Sequence, residues 1–148
     1  MAKNLIIFEK GIQKMERKII YPLSECKLGD TLLVNLSSYC ADEYEVKIIS
    51  DTDSSTQMIY YEFHKEQEVS GRFFPVSPGS FKYEYGMNLR IEIFSKNQLS
   101  LCEFFGSILD DRANNVGFSY NLFVEDNNGG DQDFNDIVIS IHTWRTGE

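Results

Sequence analysis

Between Glu125 and Asp136 the chain reads EDNNGGDQDFND, with five carboxylates, three asparagines and two adjacent glycines in one short segment. No Lys or Arg lies between Arg112 and Arg145 to balance them. Like charges at this density repel one another and destabilise a compact loop, and a divalent cation removes that repulsion. Calcium takes about six to eight hard oxygen ligands from carboxylates, amides and carbonyls. Glu125, Asp126, Asp131, Asp133, Asn135 and Asp136 supply that donor type. Gly129 and Gly130 let the backbone bend sharply and approach closely. In a locally extended backbone Asp131, Asp133 and Asn135 point the same way. Asp136 stands at the mouth of the apolar run IVISI, which would anchor the segment. Charge addition favours a pair of ions: one Ca²⁺ leaves the segment at about −3 and two leave it at about −1.

Rival chemistries fit less well. An EF-hand loop started at Asp131 would need Gly at the position of Asp136 and a terminal Glu at the position of His142. A nonapeptide calcium repeat is matched only by GGDQD and does not recur. The remaining alternative is a solvated acidic loop that binds nothing specific. No nucleophile elbow, phosphate-binding loop, dinucleotide fingerprint or H-E-x-x-H is present. The only two histidines, His64 and His142, lie in strand patterns and read as structural or surface residues. Asp51 and Asp53 belong to an exposed turn, DTDSS. A glycosidase would need one of two carboxyls kept protonated in an apolar pocket, and the polar, glycine-bearing surroundings of Asp131 and Asp133 do not offer that. The expectation is a protein that is not an enzyme.

Bulk properties narrow the field further. The chain has 148 residues, of which 42% are hydrophobic and 14% aromatic, enough for one domain, 1–148, with its own core. Its net charge of −9 argues against a nucleic-acid partner, which needs a basic face. The N-terminal apolar run, Leu5 to Phe8, is too short for a signal-peptide core or a membrane span. The expectation is therefore a protein without membrane insertion that stays in the cytoplasm, or leaves it by a route that needs no N-terminal signal. Cys26, Cys40 and Cys102 show no C-x-x-C spacing, so they read as reduced small hydrophobes.

The elements that must position the acidic segment are strands. EYEVKI puts Tyr44, Val46 and Ile48 on one side, MIYYEFH puts Ile59, Tyr61 and Phe63 together, and NLRIEIF turns Leu89, Ile91 and Ile93 inward and Arg90 and Glu92 outward. FSYNLFV groups Phe118, Tyr120, Leu122 and Val124. Each has the period of two that marks a half-buried strand. Further strands are expected at 4–9, 16–21, 31–36, 71–76, 99–106 and 136–143, with turns at 28–30, 50–55, 77–80, 85–88, 95–98 and 110–115. Residues 10–19 fit a helix or a hairpin equally. The prediction is an all-β, antiparallel β-sandwich of about nine to ten strands, with residues 1–24 contributing extra N-terminal strands.

With these residues in place, the C-terminal stretch resembles the small bacterial calcium-mediated lectins that bind fucose and mannose. That family's pattern is an E-D pair, then D-x-D-[YF]-N-D, an apolar strand and a W-x-x-G ending. Here it reads Glu125-Asp126, Asp131-Gln132-Asp133-Phe134-Asn135-Asp136, IVISIH and Trp144-Arg145-Thr146-Gly147. The specific match covers the C-terminal residues from Glu125 onward, and GDTLLVNLSS is similar to the family's early strand. The resemblance implies a nine-stranded sandwich holding two adjacent Ca²⁺ ions, to which sugar hydroxyls bind directly. It places one ion on Glu125, Asp131, Asp133 and Asp136, and the other on Asp133, Asn135, Asp136 and Asn35. Asp126 would hydrogen-bond the sugar, and Ser37 and Ser38 would sit where monosaccharide preference is set.

Two departures from the pattern bear on the site. Asn127 to Gly130 make the connection between the E-D pair and the first Asp two residues longer, reshaping the sugar-facing rim. Glu148 follows the terminal Gly, whose carboxylate in the family completes a partner subunit's site, so either Glu148 substitutes for it in a homodimer or the dimer-bridging ligand is missing. Two functions follow: a lectin for fucose- or mannose-type saccharides, or a calcium-clamped structural sandwich that binds no sugar.

Overall fold

The structure is a computed structural model that describes residues 17–39, 42–65, 74–75, 79–126 and 136–145. Within them every regular element is a β-strand: β1 (Lys18–Pro22), β2 (Thr31–Ser38), β3 (Tyr44–Asp51), β4 (Gln57–Lys65), β5 (Phe74–Pro75), β6 (Gly79–Lys82), β7 (Met87–Ser95), β8 (Leu99–Leu109), β9 (Asn115–Asp126) and β10 (Ile137–Trp144). Residues 4–9 and 10–16, read above as strand and as helix or hairpin, lie outside the described residues, and Lys18 onward is strand.

The strands form two antiparallel sheets, ordered β1-β7-β3-β4 and β5-β2-β10-β9-β8, with β6 also pairing β2. The sequence pattern explains the layering. Leu32, Val34 and Leu36 of β2, Ile137, Ile139 and Ile141 of β10, and Tyr120, Leu122 and Val124 of β9 line one wall of the core. Ile19 and Tyr21 of β1, Leu89, Ile91 and Ile93 of β7, and Tyr44, Val46 and Ile48 of β3 line the other. Burying a side chain of this kind contributes about 1.5 to 3 kcal/mol, so the alternation itself selects which face of each strand turns inward. Tyr21 and Tyr120 meet edge to face across the core, centroids 6.0 Å apart, and Tyr21 Oη donates to Glu103 Oε1 at 2.6 Å.

The inward sets predicted for β3, β7 and β9 are those observed, and β4 differs. Its register against β3 slips at Ile48/Ile49, so that Tyr61 opposes Ile48 and Ile59 opposes Ile49, leaving Tyr60 as an extra residue. A bulge of this kind resets the side-chain alternation. Ile59 is therefore 49% exposed, while Tyr60 stacks on Phe81 at 5.0 Å and its hydroxyl donates to Tyr85 O at 2.8 Å. Glu92 faces outward as expected yet is buried. β7 is flanked on both sides, and Glu92 Oε2 accepts from Arg90 Nε at 2.9 Å, with Lys18 Nζ 3.8 Å from its other oxygen.

Candidate functional site

Three of the six-stranded sheet's strands bring the acidic residues to one end of the sandwich. In β10, Ile137 pairs with Ser38 of β2 on one side and Val124 of β9 on the other. One step beyond that row, Asp136 enters β10 while Glu125 and Asp126 leave β9. Asp126 N–H donates to Asp136 Oδ2 at 2.8 Å, and Asp136 O accepts from Tyr39 N–H at 2.9 Å and Ser38 Oγ at 3.1 Å. The entry residue of β10 is thus pinned from both neighbouring strands.

At the end of β9 the alternation breaks: Val124, Glu125 and Asp126 are all buried in succession. Glu125 is 1% exposed and Asp126 5%. Burying a carboxylate is costly unless hydrogen bonds or cations compensate it. Part of that compensation crosses to the other sheet. Asn97 Nδ2 donates to Asp126 Oδ2 at 3.3 Å and to Asp42 Oδ2 at 3.0 Å, and Ser95 Oγ lies 3.5 Å from Asp126 Oδ2, the outer limit of a hydrogen bond. Asn97 N–H is held by Ser95 Oγ at 3.0 Å. The turn between β7 and β8 therefore reaches under the acidic end, with Asp42 from the β2–β3 connection joining it.

The structure places some of the residues singled out in the sequence and not others. Glu125, Asp126 and Asp136 come together. Asp131, Asp133, Asn135 and Glu148 lie outside the described residues. Ser38 is fully buried and bonded to Asp136 O, so it faces the core rather than a ligand. Ser37 stands on the outer face opposite Val138. Asn35 is set apart: it points outward opposite Ser140. Ser140 lies four positions along from Asp136, about 13 Å of strand. Asp42 and Asn97 are members that sequence reading missed, since SKNQ signals only a turn.

Oxygen donors dominate this end, the set that suits calcium rather than a soft metal. Among the described residues, no three carboxylate, imidazole or thiol groups converge closely enough to hold an ion by themselves. The Asn127–Asn135 connection between Asp126 and Asp136 lies outside the described residues. Beside the acidic end lies a shallow recess of about 180 Å³ lined by Glu43, Tyr44, Glu45, His64, Phe94, Ser95 and Lys96. His64 Nε2 is 2.9 Å from Glu43 Oε2 on its rim. A larger concavity of about 400 Å³, near Leu23, Cys26, Tyr83 and Arg90, lies toward the other end of β7, away from the acids. Cys26 there is buried, which pushes its thiol up to about 12. Cys102, in contrast, is exposed on β8 and is not a core residue.

By sequence the chain matches no family model and no curated protein. By structure it is similar to three bacterial lectins, each superposing over 86% of this chain and 96% of the other. The C-terminal domain of the lectin BC2L-C from Burkholderia cenocepacia gives a TM-score of 0.57 at 14% identity. The lectin CV2L from Chromobacterium violaceum, solved with α-methyl-fucoside, gives 0.56 at 18%. The high-affinity mannose-binding lectin of Ralstonia solanacearum gives 0.55 at 12%. The antiparallel sandwich expected from the sequence is the fold observed, and it is the fold of the lectins that the C-terminal motif resembles.

Proposed function

We propose that this chain is a calcium-dependent lectin. Glu125, Asp131, Asp133, Asn135 and Asp136 hold two Ca²⁺ ions, Glu148 is a further ligand contributed within a homodimer, and sugar hydroxyls complete the coordination. The observation that carries this reading is the meeting of buried Glu125 and Asp126 with Asp136 at adjoining strand ends. The segment linking those ends is built almost entirely of oxygen donors and glycine. Vicinal hydroxyls are hard donors that suit a calcium ion with open positions, and calcium supplies the charge that lets these carboxylates sit together. Asp126, whose Oδ2 accepts from Asn97, is the residue that hydrogen-bonds the sugar. No bond is made or broken in this function. Fucose- or mannose-type saccharides are the ligand class, in keeping with what the lectins CV2L and that of Ralstonia solanacearum bind. Asn35 has no part in this ligand set, because the register carries it away from Asp136.

The test is retention on mannose- and fucose-agarose in calcium, with release by a chelator. Specific retention supports the lectin. One observation favours a second reading, a calcium-clamped structural module: Ser38, expected at the sugar rim, faces inward and supports Asp136. That reading predicts a calcium-dependent melting temperature without retention on a broad glycan panel. Titration calorimetry of stripped protein that registers no heat with Ca²⁺ would overturn both.

A further inference from the structure

The recess beside the acidic end contributes none of the ligands assigned to calcium, yet the two places are one hydrogen-bonded unit. Asn97 Nδ2 donates to Asp126 on one side and to Asp42 on the other. Asp42 runs directly into Glu43, and Asn97 directly follows Lys96. Both of these neighbours line the recess. Ser95 belongs to both places: it lines the recess, and its Oγ, 3.5 Å from Asp126 Oδ2, accepts from Asn97 N–H. From Ser95 the recess runs onto the outer face of the four-stranded sheet, where Phe94, Glu45 and His64 form one cross-strand row. A molecule that occupies the acidic end and extends past Ser95 meets this row next.

We infer that this recess is a second saccharide subsite, which takes the neutral hexose residue linked to the one that calcium holds; the inference rests on the lectin reading. Three observations select that occupant. First, the volume is about 180 Å³, below the roughly 300 to 1,000 Å³ of a pocket for a drug-sized ligand, which suits a single ring. Second, the charges balance. Glu43 and Glu45 are answered by Lys96 at the edge and by Lys47, whose Nζ is 3.8 Å from Glu45 Oε2. A balanced recess does not collect a cation as the acidic end does, and a chain of net charge −9 repels anions. Third, the groups are of the kind that hydroxyls need. A sugar hydroxyl both donates and accepts, so carboxylates at Glu43 and Glu45 and the ammonium of Lys96 serve it from opposite sides. The side chains of Glu43 and His64, bonded at 2.9 Å, are 48% and 43% exposed and so within reach. Phe94 adds an apolar wall for the carbon face of the ring. Its own ring carries Lys18 Nζ 4.8 Å above it, itself answered by Glu92 at 3.8 Å.

Titration calorimetry of the full chain in calcium tests this, comparing methyl α-mannoside and methyl α-fucoside with mannobiosides and fucosyl-galactose disaccharides. At least one disaccharide is expected to bind about tenfold more tightly than its glycoside, the yield of one or two added hydrogen bonds and more than the statistical factor that two like residues bring. Glu45→Ala and Lys96→Ala are each expected to remove most of that margin and leave the glycoside's affinity where it was. Gln57→Ala, at the far end of β4, is expected to change neither affinity. In the wild type, the ring-proton signals of His64 are expected to move with the disaccharide and stay still with the glycoside, a readout that needs no variant. Glycosides that bind with no disaccharide margin would overturn the subsite and leave the lectin reading standing. So would a margin that survives both recess variants, a glycoside affinity that falls with them, or His64 signals that answer both ligands alike. If no glycoside binds in calcium, the lectin reading falls and this inference falls with it.

Discussion

β9 has acidic residues at each end, and the two ends are built on opposite principles. Where it begins, the β8–β9 turn reads DDRANN, and Asp110 is satisfied locally. Its Oδ1 accepts from Arg112 N–H at 2.8 Å and Asn114 N–H at 2.9 Å, and its Oδ2 accepts from Asn114 Nδ2 at 3.3 Å. Ala113 takes the left-handed conformation that closes the turn, with φ of 65°. The backbone bond from Asn114, chiefly, holds the Asp110 carboxyl below its usual range. Where β9 finishes, Glu125 and Asp126 are buried, and the partners of Asp126 come from Asn97, 29 residues away in sequence, and from Asp136. An acid fed by its own backbone a few residues on shapes a turn. An acid buried at a strand end and bonded to remote groups ties together segments far apart in sequence.

The largest effects should separate the two ends under calcium. Asp136→Ala and Asp133→Ala are each expected to abolish calcium-dependent stabilisation. At free calcium a hundredfold above Kd that loss amounts to about 2.7 kcal/mol, read as the difference in melting temperature with and without the ion. Asp110→Ala should keep the whole of that difference. An Asp136→Ala protein that still gains stability from calcium would erase the contrast.

A smaller effect should come from the support beneath the finish end. Asn97→Ala removes the amide that bridges Asp42 and Asp126, and should destabilise the protein by about 1 to 2 kcal/mol in urea titrations, in calcium or in chelator. A loss confined to the calcium-loaded form would show instead that Asn97 acts only through the ion.

The smallest effect belongs to the start of β9 and depends on pH. Because the folded-state pKa of Asp110 is depressed, its contribution is complete above the unfolded value, near 3.9, and fades as pH falls through the lower folded value. Asp110→Asn should therefore melt slightly below the wild type at neutral pH, with the gap closing below about pH 4. A gap that widened on acidification would show that the carboxylate is not the stabilising form.

How much of this was legible beforehand depended on the range over which each cause acts. Strands β3, β7 and β9 could be read from alternation alone, because the core wall selects residues two apart. The outward turn of Ile59 could not, since the bulge at Tyr60 exists for partners in other elements, Phe81 and Tyr85. Glu92 was placed on the correct face, but its burial depends on the strands flanking β7, which no local pattern names. Glu125, Asp126 and Asp136 stood out because their charge density is abnormal in sequence, and the strand ends bring them together. Asn97 and Asp42 were missed because one amide or one carboxylate in a turn is ordinary until the fold sets it beside another. Asn35 was chosen by likeness of letters; pairing with Ser140 carries it outward and away from Asp136, a register that nothing in GDTLLVNLSS discloses.

The acidic end joins chain segments far apart: Ser38 and Asp136, bonded to each other, are separated by 98 positions. A cation seated there can be gripped only after β2, β10 and β9 have found one another, which is late along the route to the native state because such long-range closures are slow to form. Contacts absent from the rate-limiting barrier act on escape from the folded state rather than on arrival. In stopped-flow chevrons calcium should accordingly depress the unfolding limb and leave the refolding limb almost where it was, making the ion a latch on a door that has already shut.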